Sequence, residues 1–123
     1  MILRTWGART PVECADAFYH HLLATGIADY RKIAGCREVH LVRRDEGGVT
    51  HFLLLSFWDS LDAIRTYTGE NFEVAVLYPG DEAYRLDPDH FVHHFDTVST
   101  DPSAADARSE AEIGPTLTDA TGS

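Results

Sequence analysis

The sequence predicts an α+β fold in which two helices cover one face of an antiparallel β-sheet. The order of the elements along the chain, β-α-β-β-α-β, carries this prediction. The third strand adds a second observation, because it is apolar on both of its alternating faces and both faces of the sheet must therefore be covered. The chain has 123 residues, of which 44% are apolar and 24% are charged. That length and composition are typical of one globular domain.

The first third of the chain predicts a strand followed by a helix. Residues 2–6 are apolar and β-prone. Thr10 and Pro11 then predict a helix start, because threonine caps helices and proline suits the first helical position. Apolar residues recur at helical spacing as far as Leu23. Gly26 is expected to end this helix, as a C-terminal glycine does.

The middle of the chain predicts a β-hairpin after a short irregular or helical turn at residues 27–34. The second strand spans residues 37–44, a four-residue turn spans 45–48, and the third strand spans 50–58. Such a turn places position 42 opposite position 51, and strand alternation then fixes which side chains share a face. One face carries His40, Val42, Arg44, His51, Leu53, Leu55 and Phe57, and the other carries Val39, Leu41, Arg43, Phe52, Leu54, Ser56 and Trp58.

The remaining elements are a second helix, capped by Asp59 and stopped by Gly69, a looser segment at 71–86, and a fourth strand from Phe91 to Thr97. This order is the split β-α-β unit of ferredoxin-like folds. Because the helices cover only one sheet face, something must cover the other. The simplest cover is the same sheet of a second subunit, which predicts a homodimer through sheet faces. The alternative is that helix-side packing plus the C-terminal segment hides both faces.

The composition changes near Val98. Residues 99–123 contain five acids and one arginine, with two large apolar side chains. Such a segment cannot bury enough apolar area to offset its ordering entropy. We therefore expect a folded domain at 1–98 and a disordered acidic tail at 99–123. The alternative is an arm that docks on a partner subunit.

The charge and apolar patterns exclude several classes of partner. The net charge is −10, whereas nucleic-acid binders need a concentrated positive surface, so neither nucleic acid nor an anionic membrane is expected as a partner. No apolar run is long enough to span a membrane, and no signal peptide is recognised, which predicts a cytoplasmic protein. Cys14 and Cys36 are expected to be free thiols.

Histidines and aromatic residues are the candidates for chemistry. His51 and His40 are candidate general bases, because imidazole removes a phenolic or enolic proton near neutral pH. Arg85 could stabilise the resulting oxyanion. The histidine spacing supplies no third ligand, so no metal site is expected. Aromatic and imidazole side chains that could contact a flat ligand include Trp6, Trp58, Tyr67, Tyr78 and His94.

Several of these segments resemble the antibiotic biosynthesis monooxygenase-like family of small dimeric α/β-barrel proteins. The resemblance covers residues 1–98 and rests on the segment from Trp58 to Ile64, on Tyr67-Thr68-Gly69, on Tyr78-Pro79-Gly80-Asp81-Glu82 and on His94-Phe95. It implies a pocket between the sheet and the helices of each subunit. It also implies an activity without a cofactor, such as the oxidation of polycyclic phenols to quinones with O₂.

The sequence departs from the subfamilies of this barrel at specific positions. Trp58 matches a tryptophan of the quinone-forming members, but Leu54 stands where they carry asparagine and Ile64 where they carry tyrosine. The haem-degrading members carry a ligating histidine around the second helix, and residues 67–77 contain none. Thr50-His51 and Tyr67 resemble residues of certain polyketide cyclases, whose downstream histidine is absent here.

These observations lead to one principal functional hypothesis and two alternatives. The principal hypothesis is a cofactor-independent monooxygenase of secondary metabolism that acts on a small aromatic or polyketide substrate. His51 would remove a proton, Trp58 and Tyr67 would orient the ring, and Arg85 would hold the oxyanion. The first alternative is a cyclase or isomerase using the same pocket without oxygen. The second is a non-catalytic ligand-binding dimer.

Overall fold

The computed structural model describes residues 1–98 and shows an antiparallel sheet with helices on one face. The expected acidic tail at 99–123 lies outside the described residues. The strands are β1 (Ile2–Pro11), β2 (Cys36–Glu46), β3 (Val49–Trp58), β4 (Asp87–Pro88) and β5 (His93–Asp96), and the helices are α1 (Ala15–Ala24), α2 (Gly26–Tyr30) and α3 (Leu61–Thr68). Two 3₁₀ turns lie at Val12–Cys14 and Asp81–Tyr84.

The sheet confirms the predicted α+β, ferredoxin-like class. Its strand order is β2-β3-β1-β4, and β5 also pairs with β1. The pairings are antiparallel, and β1 runs beside β3 from Ile2 opposite Trp58 to Pro11 opposite Val49. The expected fourth strand is the shorter β5, and an additional two-residue strand, β4, lies on the same edge of β1 with Ala8 opposite Pro88.

The start of the first helix differs from the prediction. Thr10 does not cap it, because β1 continues through Thr10, whose Oγ1 donates to the Tyr84 carbonyl at 2.6 Å. A 3₁₀ turn follows, and the α-helix begins only at Ala15. Gly26 does not end the helix either. The helix ends at Ala24, and Gly26 is the first residue of α2.

The hairpin turn is shorter than predicted. Glu46 pairs with Val49, so the turn consists of Gly47 and Gly48, whose φ angles of 61° and 80° suit glycine. His51 therefore lies opposite Arg44 and not opposite position 42. Because this shift is two residues, strand alternation is unchanged, and the predicted division of β2 and β3 into two faces is confirmed.

The second helix begins at a different cap from the one predicted. The Ala63 backbone N–H donates to the Ser60 hydroxyl at 3.2 Å, and the Asp59 carboxylate instead accepts from Arg37. Gly69 ends α3 as predicted, with φ of 79°. Helix α3 also approaches the loop before β2 closely. A Cβ atom at Gly35 would lie only 2.5 Å from the Cβ of Ala63.

The core lies between the helices and the sheet. Buried side chains from β1, β3, α1, α2 and α3 fill it, among them Trp6, Phe18, Tyr30, Phe52, Leu54, Trp58 and Ile64. The ring of Phe18 packs edge-on against Phe52 at 5.4 Å between centroids, and Tyr30 packs in the same way against Trp58 at 5.2 Å. We call this side of the sheet the covered face.

The opposite side, which we call the open face, carries apolar side chains without a covering layer among residues 1–98. Val42 is 49% exposed, Leu53 41% and Phe95 53%. The two-sided apolar pattern of β3 thus corresponds to one face buried by the helices and one face still open. Within the described part of the chain, no helix is long and apolar enough to cross a membrane.

Candidate functional site

A small cavity lies between the covered face and the helices. It measures about 20 Å³, which is room for about one water molecule. Its walls include Arg4 and Trp6 from β1, Tyr30 from α2, Tyr67 from α3 and Tyr78 from the segment that follows α3. A guanidinium and several aromatic side chains therefore line one small cavity.

Arg4 is the most unusual residue of this cavity. Its side chain is 1% exposed, yet among residues 1–98 it forms no ion pair. Its Nε donates to the Tyr30 hydroxyl at 3.2 Å, and its Nη1 donates to the Phe72 carbonyl at 2.8 Å. The guanidinium carbon also lies 5.9 Å from the centre of the Tyr67 ring. A buried cation with only neutral partners favours an anionic group beside it.

His94 supports Arg4 from the neighbouring strand. Arg4 Nη1 lies 3.0 Å from His94 Nε2, and since a guanidinium only donates, this ring nitrogen accepts and carries no proton. Burial, and then the charge of Arg4, lower the pKa of His94 below its ordinary value. His94 is consequently neutral near pH 7, so that it leaves the charge of Arg4 uncompensated.

Two tyrosines connect the cavity to a carboxylate at the surface. The hydroxyls of Tyr67 and Tyr78 lie 3.0 Å apart, and Tyr78 donates to Asp29 Oδ2 at 2.7 Å. Burial is the main cause that raises the pKa of Tyr67 well above its ordinary value. Burial likewise raises the pKa of Tyr78 to about 12. Both hydroxyls therefore remain protonated at neutral pH.

The structure brings only some of the predicted site residues to this cavity. Trp6, Tyr67 and Tyr78 line it. His94 acts on it through Arg4. Trp58 lies behind the cavity wall, fully buried, with its Nε1 donating to the Ser56 hydroxyl at 2.8 Å.

The predicted bases His51 and His40 lie elsewhere, on the open face. His51 follows the buried Thr50 and precedes the buried Phe52, so strand alternation turns its side chain away from the helices. His40 also lies on the open face, where its Nε2 is 2.9 Å from Glu38 Oε1. Neither histidine lines the cavity between the covered face and the helices.

Arg85, the predicted oxyanion partner, is also outside the cavity. Its guanidinium donates to Glu13 Oε2 at 2.7 Å, and its side chain is 64% exposed. Arg85 and His51 do share one hollow of about 420 Å³, but it is on the open face. The arginines there are paired, Arg85 with Glu13 and Arg9 with Asp87, whereas Arg4 in the cavity is not.

Sequence reasoning missed Arg4, Tyr30 and Asp29. The signal for Arg4 was present, because it lies between Ile2 and Trp6 on the alternate positions of β1 that face the core. A charged residue within such a buried stripe is rare and marks a functional candidate. No comparable signal existed for Tyr30 and Asp29, which reach the site only through the placement of the short helix α2.

Metal-binding residues and cysteines complete the description of the candidate site within residues 1–98. Between Met1 and Val98, no three His, Cys, Asp or Glu side chains are arranged to hold one. Cys14 and Cys36 are free thiols. The candidate site therefore consists of a buried cation, a neutral histidine, aromatic walls and a chain of hydroxyls.

A small ferredoxin-like domain with an aromatic cavity between its sheet and its helices defines the class of protein. The sequence model of the antibiotic biosynthesis monooxygenase family matches residues 9–71, about half of the chain, and the chain belongs to this family. No protein of curated function matches it.

Solved structures of low sequence identity share the fold. A proposed antibiotic biosynthesis monooxygenase from Deinococcus radiodurans has a TM-score of 0.58 at 19% identity, covering 82% of this chain and 96% of its own. A similarly described protein from Bacillus cereus has a TM-score of 0.56 at 13% identity, with the same coverage. SnoaB from Streptomyces nogalater, a cofactor-independent oxygenase, has a TM-score of 0.51 at 16% identity, covering 82% of this chain and 97% of its own.

Proposed function

We propose that this protein is a cofactor-independent monooxygenase that oxidises a small phenolic aromatic or polyketide substrate with O₂. The observation that carries the proposal is the buried guanidinium of Arg4, which has no carboxylate partner among residues 1–98 and faces a cavity with aromatic walls. Membership of the family supports the reaction class, and the structurally similar SnoaB is described as a cofactor-independent oxygenase.

In the proposed mechanism Arg4 holds the substrate as a phenolate. Its charge acts in a water-poor environment, where a fixed cation stabilises a developing anion strongly. The electron-rich ring carbon of the anion then reacts with O₂. One oxygen atom becomes a ring carbonyl, and the other leaves as water with the two hydrogens lost in forming the quinone. Trp6 and Tyr67 supply flat surfaces for the ring.

A polycyclic substrate requires the cavity to enlarge. The present volume is about 20 Å³, far below the roughly 300 Å³ or more of ordinary ligand pockets. The segment that follows α3 closes one side and contributes Ala75 and Tyr78. It is held by few backbone bonds, such as Ala75 N–H to the His90 carbonyl at 2.8 Å. We expect the part of this segment around Ala75 to move when substrate enters, while Tyr78 keeps its hydrogen bond to Asp29.

The experiment is oxygen uptake by chelator-treated protein with anthrones and polyhydroxynaphthalenes, together with product analysis for a quinone. Replacing Arg4 with methionine should lower kcat/KM by about 100- to 1,000-fold, because one charge-stabilising group at a reacting anion is worth that much. Arg4→Lys, which keeps the charge, should retain more activity. Arg85→Ala is the matched control and should behave as wild type, since Arg85 contacts Glu13 at the surface.

A lack of uptake by the wild-type protein with every compound would contradict the monooxygenase proposal. Turnover without oxygen consumption would favour the cyclase or isomerase, which needs the same anion stabilisation.

A non-catalytic ligand-binding protein is the second candidate. The small volume of the closed cavity favours it, since a site that never opens cannot accept a polycyclic substrate. Its signature is saturable quenching of tryptophan fluorescence by the same compounds without any product. Binding together with quinone formation would exclude this candidate.

We also propose that the protein is a homodimer joined through the open face. The exposed side chains of Val42, Leu53 and Phe95 support this arrangement, because they lie on the same face of the sheet. An identical face of a second copy would bury them.

A further inference from the structure

We propose that Tyr67, Tyr78 and Asp29 form a proton relay that carries the substrate's phenolic proton from the cavity to the surface, with Asp29 as the final acceptor. The inference rests on the proposed function, because the relay needs an acidic substrate in the cavity. The relay would give the cavity the proton acceptor that the predicted bases His51 and His40 do not supply.

The single proton of each hydroxyl, with Asp29 as an acceptor, fixes the direction of the relay. Tyr78 has one hydroxyl proton and donates it to Asp29 Oδ2 at 2.7 Å. Its oxygen is then the acceptor in the 3.0 Å contact with Tyr67, whose hydroxyl donates. The oxygen of Tyr67 keeps its lone pairs for a donor in the cavity. Each hydroxyl thus donates toward the surface.

Other titratable groups near the cavity are already engaged. His94 accepts from Arg4 through Nε2. Asp81 also lines the cavity, but its Oδ1 lies 2.7 Å from His21 Nε2 and its Oδ2 accepts from the backbone N–H of Tyr78 at 2.9 Å. Both groups thus already make hydrogen bonds to protein groups.

Asp29 differs from these groups because it reaches solvent. Its side chain is 41% exposed, and its Oδ1 lies 3.5 Å from Lys32 Nζ at the surface. A proton that arrives at Oδ2 can therefore pass to water or buffer. The cavity itself holds about one water molecule, so Asp29 provides the exposed end of the path.

The proton step balances across three hydroxyl groups. The substrate O–H bond breaks as its proton binds to the oxygen of Tyr67. The proton of Tyr67 passes to Tyr78, and that of Tyr78 passes to Asp29. Three O–H bonds break and three form, both tyrosines end neutral, and the substrate becomes a phenolate beside Arg4. Asp29 then loses its proton to solvent, and rotation of the two hydroxyls restores the starting arrangement.

The test separates the extent of ionisation from its rate. A polyhydroxynaphthalene is mixed with protein under nitrogen in a stopped-flow instrument, and the absorbance of the bound phenolate is followed. Arg4→Met should lower the fraction of bound ligand that ionises. Asp29→Asn should leave that fraction and the ligand Kd within about twofold of wild type but slow the phenolate signal by about 100-fold, the typical contribution of a general base.

Further variants distinguish a relay from a structural role. Tyr78→Phe should slow the signal as Asp29→Asn does, and the double variant should be no slower, because both changes interrupt one path. Asp29→Glu should restore much of the rate, and added formate should accelerate Asp29→Ala. Asp16→Asn is the control and should match wild type, since Asp16 binds Arg43 on the helix surface.

The outcomes separate the two proposals. Wild-type rates in Asp29→Asn and Tyr78→Phe would overturn the relay, even if oxygen uptake confirms the monooxygenase. Slowed ionisation in Asp29→Asn and Tyr78→Phe, together with rescue of Asp29→Ala by formate, would support the relay even if no oxygen is consumed. Equal slowing in Asp16→Asn would show that the effect is structural, and this too would overturn the relay.

Discussion

The covered and open faces of the sheet are built from the same strands but differ in which side chains they bury and which they expose. The covered face buries Arg4, Thr10, Thr50 and Ser56 among apolar side chains. Each of these polar side chains has a hydrogen-bond partner within residues 1–98. The open face leaves apolar side chains such as Leu53 exposed.

The charges of the two faces differ in the same way. Arg9 on the open face pairs with Asp87 and Asp89, and Arg44 pairs with Glu46. Arg4 on the covered face has neutral partners. A surface charge with a nearby partner contributes little to stability or chemistry, whereas a buried cation without one stays available. Among residues 1–98, the comparison thus locates the buried cation without a charged partner on the covered face.

The largest expected effect is on stability and compares two neighbouring residues of β3. Trp58 is fully buried on the covered face, and Phe57 faces the open side. Trp58→Ala should lower the free energy of unfolding by about 3–5 kcal/mol, the usual loss for a buried large aromatic. The loss should be the same at every protein concentration in urea denaturation monitored by circular dichroism.

Phe57→Ala is the matched variant, and its effect should depend on protein concentration. If the open face is covered by a second copy, removing Phe57 weakens the association, and the loss is largest where the dimer predominates. A loss for Phe57→Ala that does not change with concentration would contradict the proposed dimer interface.

The second expected effect is on association. Leu53→Lys introduces a positive charge at the centre of the open face, and in a symmetric dimer it does so on both subunits. Like charges and desolvation at such an interface cost several kcal/mol, so the dimer Kd should rise at least about 100-fold in sedimentation velocity. Thr66→Lys on the exposed surface of α3 is the control. A dimer that survives Leu53→Lys would place the interface elsewhere.

The smallest expected effect is on the pH dependence of stability. Burial and Arg4 hold the pKa of His94 below its ordinary value of 6.5, so the unfolded chain binds this proton at a higher pH than the folded chain does. The stability that neutral His94 contributes is fully present above pH 6.5 and is lost as the pH falls below that value. In denaturant titrations at several pH values, His94→Gln should therefore show a smaller loss of unfolding free energy on acidification than wild type. His93→Gln, on the open face, should show the same loss as wild type.

The two faces also explain how much of the fold the sequence could predict. Element order and side-chain alternation depend on local patterns, so the division of β2 and β3 into faces is correct. The turn length is wrong because acidic residues next to glycines resemble a loop. Asp45 in fact continues the strand and accepts from the hydroxyl of Thr50 at 2.6 Å.

The candidate site was harder to predict, for a physical reason. Strand β3 is apolar on both faces, so its pattern cannot reveal which face the helices cover, and this choice decides whether His51 or its neighbours face the cavity. The aromatic residues Tyr67 and Tyr78 could be named from composition and resemblance. Asp29 could not, because it meets Tyr78 only after two segments 49 residues apart have folded together.

The size of the cavity also depends on Gly35, which does not line the cavity. Because no side chain separates Gly35 from Ala63, α3 rests directly on the loop before β2. Tyr67 lies one helical turn beyond Ala63, so its ring is held at the level which this contact sets. A methyl group at position 35 would push α3 away from this loop and shift the ring of Tyr67 with it. Cavity size in this fold can therefore change through a residue that no ligand ever touches.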